Sequence, residues 1–253
     1  MPELPEVEMY KRYFERHALG QTVTRVRVLD DRILGTREIE RIVGHSFRST
    51  RRHGKHLFAD AGGVWLHIHF GMSGDLAYFV DEPPRFARVI FDFQNGAHLA
   101  YEDMRLFGIV DLAASPDQYI RERGLGPDPL KINLRAFRAL LGKRRGRIKA
   151  LLLSQDVIAG IGNLYADEAL YRSSIDPRRP VDRLRDDEVK TLFGNIRGVL
   201  QQTIAFKSRE ADYPARFLVQ HREEGDRCPK CGGTIRRTIV AGRTTYYCAR
   251  HQK

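Results

Sequence analysis

The chain has 253 residues, 42% of them hydrophobic, which is enough for a buried core and excludes wholesale disorder. Lys and Arg total 43 against 32 Asp and Glu, and a formal net charge of +11 points to a polyanion as partner. No apolar run is long enough to span a bilayer, and the start, MPELPEVEMYKR, lacks the basic opening and apolar stretch of a signal peptide, so an intracellular, cytoplasmic protein is expected.

Leu4, Val7, Tyr10, Phe14 and His17 recur at helical spacing, predicting a helix over 4–19 with Gly20 as its C-terminal cap. Thr22 to Leu29 alternates like a strand, and His56 to Phe70 reads as two strands around Ala61-Gly62-Gly63. Phe86 to Tyr101 reads as a hairpin, with Asn95-Gly96 supplying the positive φ angles of a tight turn. Short strands repeated after one helix predict a β-sandwich or barrel-like domain over 1–114. Pro116, Gly124, Gly126 and Pro127 mark a linker, placed at 115–132. Beyond it helices are expected from Asn133 to Leu141, Arg147 to Ser154, Asn163 to Arg172 and Asp182 to Phe206, making a helical domain over 133–225. Residues 226–253 close the chain as a small β-ribbon turning at Ala241-Gly242.

The tail carries the cleanest chemical spacing. Cys228-Pro-Lys-Cys231 is followed by sixteen residues and then Cys248-Ala-Arg-His251, and these are all the cysteines of the chain. Two pairs of soft ligands, each two residues apart, close a tetrahedral site for one structural Zn2+. The ribbon they staple carries Arg236, Arg237 and Arg243. Basic residues also cluster at Arg48, Arg51, Arg52 and Lys55, and at Lys143, Arg144, Arg145, Arg147 and Lys149. Gly160-Ile-Gly-Asn163 precedes a helix and resembles an anion site made of free N–H groups at a positive helix end, a weak signal by itself that gains weight from the basic cluster upstream. At the start, removal of Met1 exposes the secondary amine of Pro2, able to attack an aldehyde-level carbon, with Glu3 beside it as a proton donor. By themselves these residues read better as the opening of a helix, with Pro2 in its first turn and the acids favouring the dipole.

Together these segments resemble the formamidopyrimidine-DNA glycosylase and endonuclease VIII family over nearly the whole chain. The markers are MPELPE at the start, RRHGKH around Lys55, HFGMSG around Met72, EDMRLFG around Arg105, RIKALLLSQDVIAGIGNLYADEAL in the middle, and the Cys–His tail. The resemblance implies a two-domain α+β fold: a helix-capped β-sandwich, then a helix–two-turn–helix domain with a zinc ribbon, and DNA in the cleft between them. It implies that Pro2 is the nucleophile, Glu3 the catalytic acid, Glu6 a supporting acid and Lys55 a phosphate-holding lysine that helps at the lesion. Asn163 and Arg243 match backbone-phosphate ligands, and Lys149 a basic residue near the active-site cleft. Met72, Arg105 and Phe107 resemble the trio that fills the gap left when a damaged nucleotide swings out of the duplex; without the resemblance, Met72 and Phe107 read as core and Arg105 as a surface cation.

Four departures stand out: His251 in place of a fourth cysteine, Leu106 in place of a second arginine, Gln220-His221-Arg222 in place of a Tyr-Gly-Arg run, and a charged stretch over 204–218, with Pro214, in place of a Gly- and Thr-rich loop. The expected function is a bifunctional glycosylase and abasic-site lyase of base excision repair. It would act as a monomer on double-stranded DNA containing oxidised purines (8-oxoguanine, formamidopyrimidines) or abasic sites. An endonuclease VIII-like enzyme for oxidised pyrimidines is the alternative that the odd loop favours. A non-catalytic binder of damaged DNA leaves Pro2 and Glu3 without a purpose.

Overall fold

A computed structural model describes residues 2–207 and 213–253. The chain divides into two compact units, the first running to Gly124 and the second beginning at Leu125.

The first unit opens with α1 (Leu4–Ala18), whose apolar residues Leu4, Val7, Phe14 and Ala18 are fully buried. Gly20 follows the helix at φ +76°, the left-handed conformation of a helix stop. Eight strands come next: β1 (Val23–Val28), β2 (Ser49–His53), β3 (His56–Asp60), β4 (Trp65–His69), β5 (Gly74–Phe79), β6 (Ala87–Phe93), β7 (His98–Asp103) and β8 (Ile109–Ala113). They form two antiparallel four-stranded sheets, ordered β1-β6-β7-β5 and β2-β3-β4-β8. Phe14, Phe47, Leu57, Leu66, Ile68, Phe91 and Tyr101 belong to one buried cluster that joins both sheets to α1. The expected helix-capped sandwich is therefore present, with β2, β5 and β8 added to the strands anticipated.

Two expectations change. The β6–β7 connection is a three-residue loop, Gln94 to Gly96, closed by the Phe93 N–H on the Ala97 carbonyl at 2.9 Å. Only Gly96 takes a positive φ (+83°), so the turn is not the two-residue type. The stretch read as linker holds a helix, α2 (Pro116–Glu122), because Ser115 caps it by accepting the Gln118 N–H at 3.2 Å and Pro116 suits its first turn. Its Tyr119 ring lies 4.2 Å from the ring of His67.

The second unit contains α3 (Leu134–Gly142), capped by the Asn133 side chain on the Ala136 N–H at 2.9 Å, then α4 (Ile148–Leu153) and α5 (Asn163–Arg172). The long α6 (Asp186–Lys207) starts later than its pattern implied, behind a short 3-10 turn at Val181–Arg183. Strands β9 (Ile235–Val240) and β10 (Arg243–Cys248) pair as the expected ribbon, with Ala241 and Gly242 both at positive φ in its turn. Among the described residues no helix is long and apolar enough to cross a membrane. The loop expected at 204–218 falls partly on 208–212, which lie outside the described residues. Its described end is tied down: the Tyr213 and Tyr165 hydroxyls are 2.8 Å apart, and Phe217 donates to the Pro214 carbonyl at 2.9 Å.

Strand alternation on β4 sends Leu66 and Ile68 into the core and leaves His67 on the opposite face, still fully buried. His67 Nε2 lies 2.9 Å from His56 Nδ1 on β3. Burial holds the His67 imidazole down to about 3, helped by His69 and Arg123, and burial likewise holds His56 well below the usual histidine range. The unfolded chain binds protons on both near pH ~6.5, whereas the folded chain resists until far lower. Their contribution is therefore complete above pH ~6.5 and is lost as the pH falls toward the folded values, at about 1.4 kcal/mol per pH unit for each histidine. The melting temperature is expected to drop from pH 7 to pH 5, and His67→Phe to flatten that drop; equal slopes for both proteins would contradict this account.

Candidate active site and zinc centre

At the head of α1 the backbone N–H of Glu3 donates to Glu6 Oε2 at 2.9 Å, while the Glu3 carboxylate accepts from the Glu6 N–H. This reciprocal box fixes the first turn. Pro2 precedes the cap and so lies outside the helix; the proline of the first turn is Pro5. Glu3 is only 3% exposed, a carboxyl held out of water one residue from a potential chain-terminal amine.

Lys55 sits in the tight turn between β2 and β3, where Gly54 takes φ +55°. Arg52, itself 6% exposed, donates through Nη1 to the Gly54 carbonyl at 3.1 Å and through Nε to Glu8 Oε2 of α1 at 2.9 Å. A buried guanidinium thus ties the lysine turn to the helix that carries Glu3 and Glu6. The positive charge of Lys55, after burial, helps hold His69 below its ordinary range. In the sequence Arg52 is one of a cluster of basic residues, and its burial and its partner Glu8 on the helix face carry no spacing signal.

Met72 and Phe107 are large apolar side chains left 40% and 56% exposed on two separate loops, β4–β5 and β7–β8. Both loops meet backbone to backbone: a Cβ on Gly71 would fall 2.4 Å from the Phe107 carbonyl carbon, so only glycine permits the approach. The exposed Arg105 carries its guanidinium 5.1 Å over the Phe107 ring. Leu106, between them, adopts φ +58° and packs against the core.

In the second unit Lys149, on α4, is enclosed. Its side chain has no exposed surface, and its Nζ lies 2.6 Å from Asp167 Oδ1 and 2.6 Å from Thr245 Oγ1. Asp167 also accepts from Arg222 at 2.8 Å and from the Tyr246 N–H at 3.2 Å. Burial pushes the Asp167 carboxyl upward against the pull of Lys149 and Arg222. A lysine so enclosed holds ribbon to helices. Asn163, at the head of α5, donates to the Thr244 carbonyl at 2.9 Å, beside Arg243, which is exposed at the ribbon turn. The glycine turn before α5 is less open than expected, because Gly160 donates its N–H to Gln155 Oε1 at 2.9 Å. Gln155 also donates to the Leu153 and Ile161 carbonyls, both at 2.9 Å, and so builds the turn that sequence reasoning credited to glycine alone.

Cys228, Cys231, Cys248 and His251 converge, their ligand atoms all within 4.8 Å of one another. Cys231 Sγ lies 3.5 Å from Cys248 Sγ and 3.4 Å from His251 Nδ1, and Cys228 Sγ lies 3.7 Å from His251 Nδ1. Sulfur at about 2.3 Å and nitrogen at about 2.1 Å from a tetrahedral zinc stand roughly 3.6–3.8 Å apart, so the donors fit one structural zinc. His251 Nε2 faces the Tyr171 carbonyl at 3.3 Å, an acceptor, which leaves Nδ1 as the metal ligand. The Tyr171 hydroxyl accepts from the Lys230 N–H at 3.0 Å and donates to Cys228 Sγ at 3.3 Å. A helix-capped pair of sheets followed by a helical unit with a Cys3His ribbon defines a two-domain zinc protein of the helix–two-turn–helix class.

The chain belongs to the formamidopyrimidine-DNA glycosylase family. The family's N-terminal domain matches residues 1–110, its H2TH domain 125–213, and the zinc finger found in FPG and IleRS 225–251. Formamidopyrimidine-DNA glycosylase of Pelotomaculum thermopropionicum is 36% identical over 274 residues, covering 100% of this chain and 99% of that protein. Its namesake from Streptococcus pyogenes is 33% identical over 277 residues, with the same coverage. Among solved structures, MutM in complex with DNA containing carbocyclic 8-oxo-G is similar at 28% identity and TM-score 0.87, over 100% of both chains. Lactococcus lactis Fpg in complex with DNA containing an abasic site is similar at 28% identity and TM-score 0.87, over 99% of both.

Purified protein is expected to hold one zinc per chain by elemental analysis, and His251→Ala to lose it to a chelator that spares the parent. Tyr171→Phe, which removes the hydroxyl that donates to Cys228 Sγ and accepts the Lys230 N–H, is expected to weaken zinc by about 10-fold in chelator competition. Unchanged affinity would remove that hydroxyl from the zinc environment.

Proposed function

We propose that this protein is a bifunctional DNA glycosylase and abasic-site lyase of base excision repair that removes oxidised purines from duplex DNA, working in the cytoplasm at the nucleoid. The observation that carries the reading is the head of α1, where a buried acid is locked one residue from Pro2. After Met1 is removed, the Pro2 nitrogen attacks C1′ of the damaged nucleotide. The base leaves with the electron pair of its glycosidic bond and takes up a proton, and the sugar opens to an iminium on Pro2. Glu3 supplies or shuttles the protons, with Glu6 holding its backbone in place. Elimination then expels first one and then the other flanking phosphate. Lys55, fixed through Arg52, holds the phosphate next to the lesion. Met72 and Phe107 fill the vacated stack, and Arg105 donates to the orphaned partner base. Asn163 and Arg243 hold the backbone of the strand, with Lys149 keeping the ribbon against α5. The relatives named for formamidopyrimidine support the purine class, as does a wedge with all three members present.

Borohydride is expected to trap a covalent adduct on 8-oxoguanine or formamidopyrimidine DNA, with the DNA mapped to Pro2; a link through Lys55 instead overturns the assignment. Arg243→Ala is expected to lower the slope of log affinity against log salt by about 1, and an unchanged slope would move Arg243 off the DNA.

A further inference from the structure

Three exposed side chains on two loops can enter a duplex as one wedge only if the loops keep a fixed spacing before DNA arrives, since ordering them on binding consumes affinity. The device that sets this spacing is buried beneath them. Asp103, the last residue of β7, has no exposed surface. Its Oδ1 accepts from the Ser73 hydroxyl at 2.5 Å and from the Arg105 N–H at 3.1 Å, and its Oδ2 accepts from the Gly108 N–H at 2.7 Å. Ser73 adjoins Met72, and its oxygen also lies 3.1 Å from the Arg105 N–H. From the other side Arg88 donates to the Asp103 carbonyl at 2.8 Å. One carboxylate therefore gathers a donor from the Met72 loop and one from each end of the segment that bears Arg105 and Phe107.

We infer that Asp103, acting through Ser73, is a positioning residue for the wedge: it locks the Met72 loop to the Arg105–Phe107 loop in the geometry that inserts into the duplex. The surrounding backbone confirms how little slack the platform has. A Cβ on Gly108 would fall 1.6 Å from the Tyr101 hydroxyl, and one on Gly74 would fall 2.4 Å from the Phe70 carbonyl oxygen. Leu106 sits in the left-handed region, a conformation a leucine keeps only where its surroundings impose it. Here the imposition comes from the residues on both sides, Arg105 and Gly108, whose N–H groups are pinned to the same carboxylate. The lock touches neither Pro2 nor Glu3, so it serves opening of the helix and base eversion and leaves the covalent steps alone.

This inference rests on the glycosylase reading, and its test separates the two. Asp103→Asn keeps the shape but replaces one acceptor oxygen by an N–H donor, which faces the N–H of Arg105 or of Gly108; Ser73→Ala removes the link to the Met72 loop only. Single-turnover cleavage would be followed on a duplex with 8-oxoguanine opposite cytosine and on a single-stranded oligonucleotide with an abasic site, which has no stack to fill and no orphaned base. Asp103→Asn is expected to slow the duplex reaction by about 100-fold and Ser73→Ala by about 10-fold, with the single-strand rate changing by less than about 3-fold in each. Parallel losses on both substrates would overturn the inference, because a merely structural residue depresses both together; so would an unchanged duplex rate. Should Asp103→Asn fail to fold, Ser73→Ala decides. A parent protein that cleaves neither substrate would refute the glycosylase reading itself.

Discussion

A reacting amine at the second residue of a chain has one covalent tether, and all its remaining order must come from the element that follows. That element is α1, and the reciprocal bonds between Glu3 and Glu6 are what start it at residue 4. The helix is then anchored twice. Leu4, Val7, Phe14 and Ala18 are buried in the first unit, and Glu8 takes the buried guanidinium of Arg52. Removing Glu8 would take from the buried Arg52 guanidinium the carboxylate that ties it to the helix. The same guanidinium holds the turn of Lys55. The proposed nucleophile, acid and phosphate-binding lysine thus share one mechanical support, even though they come from separate parts of the sequence.

What could be read from the sequence follows from which forces leave a local pattern. α1, the β3–β4 pair and α5 were legible because one apolar face and a nearby glycine or polar cap repeat at fixed spacing. The zinc ligands were legible because metal coordination demands its own spacing. α2 was misread because Pro116 and Gly124 punctuate a loop as readily as they bracket a helix; the deciding contact, Ser115 on the Gln118 N–H, depends on one side-chain rotamer. The partners of Lys149 were hidden for a deeper reason. Within a run of five cations nothing local marks the one that will meet Asp167, eighteen positions on, and Thr245, across the ribbon. Met72, Arg105 and Phe107 were found only through resemblance, while Asp103 beneath them left no signal, since an aspartate ending a strand looks like any turn residue.

The zinc site shows how a small ribbon is given a fixed place within the second unit. Its ligands close the tail on itself, but Tyr171 and Asn163 belong to α5, and they reach Cys228 and the Thr244 carbonyl. Lys149 adds α4, again through Thr244 and Thr245. The ribbon is therefore joined to the helices at both its metal end and its turn. Replacing a buried ion pair by apolar residues is often neutral for stability, so the Lys149–Asp167 contact is better understood as a register device. An apolar patch would let β10 slide along α5; a lysine that needs one carboxylate and one hydroxyl does not.

The two units solve one electrostatic problem in the same way. A protein that binds a polyanion needs its cations outside and its carboxylates elsewhere, yet loops that meet DNA need strong acceptors to order them. Here the acceptors are sunk beneath the loops. Asp103 collects N–H and O–H donors under the first unit's exposed trio, and Asp167 collects Lys149, Arg222 and the Tyr246 N–H under the ribbon. Glu3 and Glu168 are buried as well, Glu168 against Arg172 at 2.7 Å. Each carboxylate withdrawn in this way takes a negative charge off the surface, although Asp167 and Glu168 draw Lys149 and Arg172 inward with them. It also spends its charge at short range on fixed donors, where salt screens little, and not on an incoming phosphate, where it would repel. The acids of this chain therefore give shape to a surface whose attraction for DNA is left to the arginines and lysines around them.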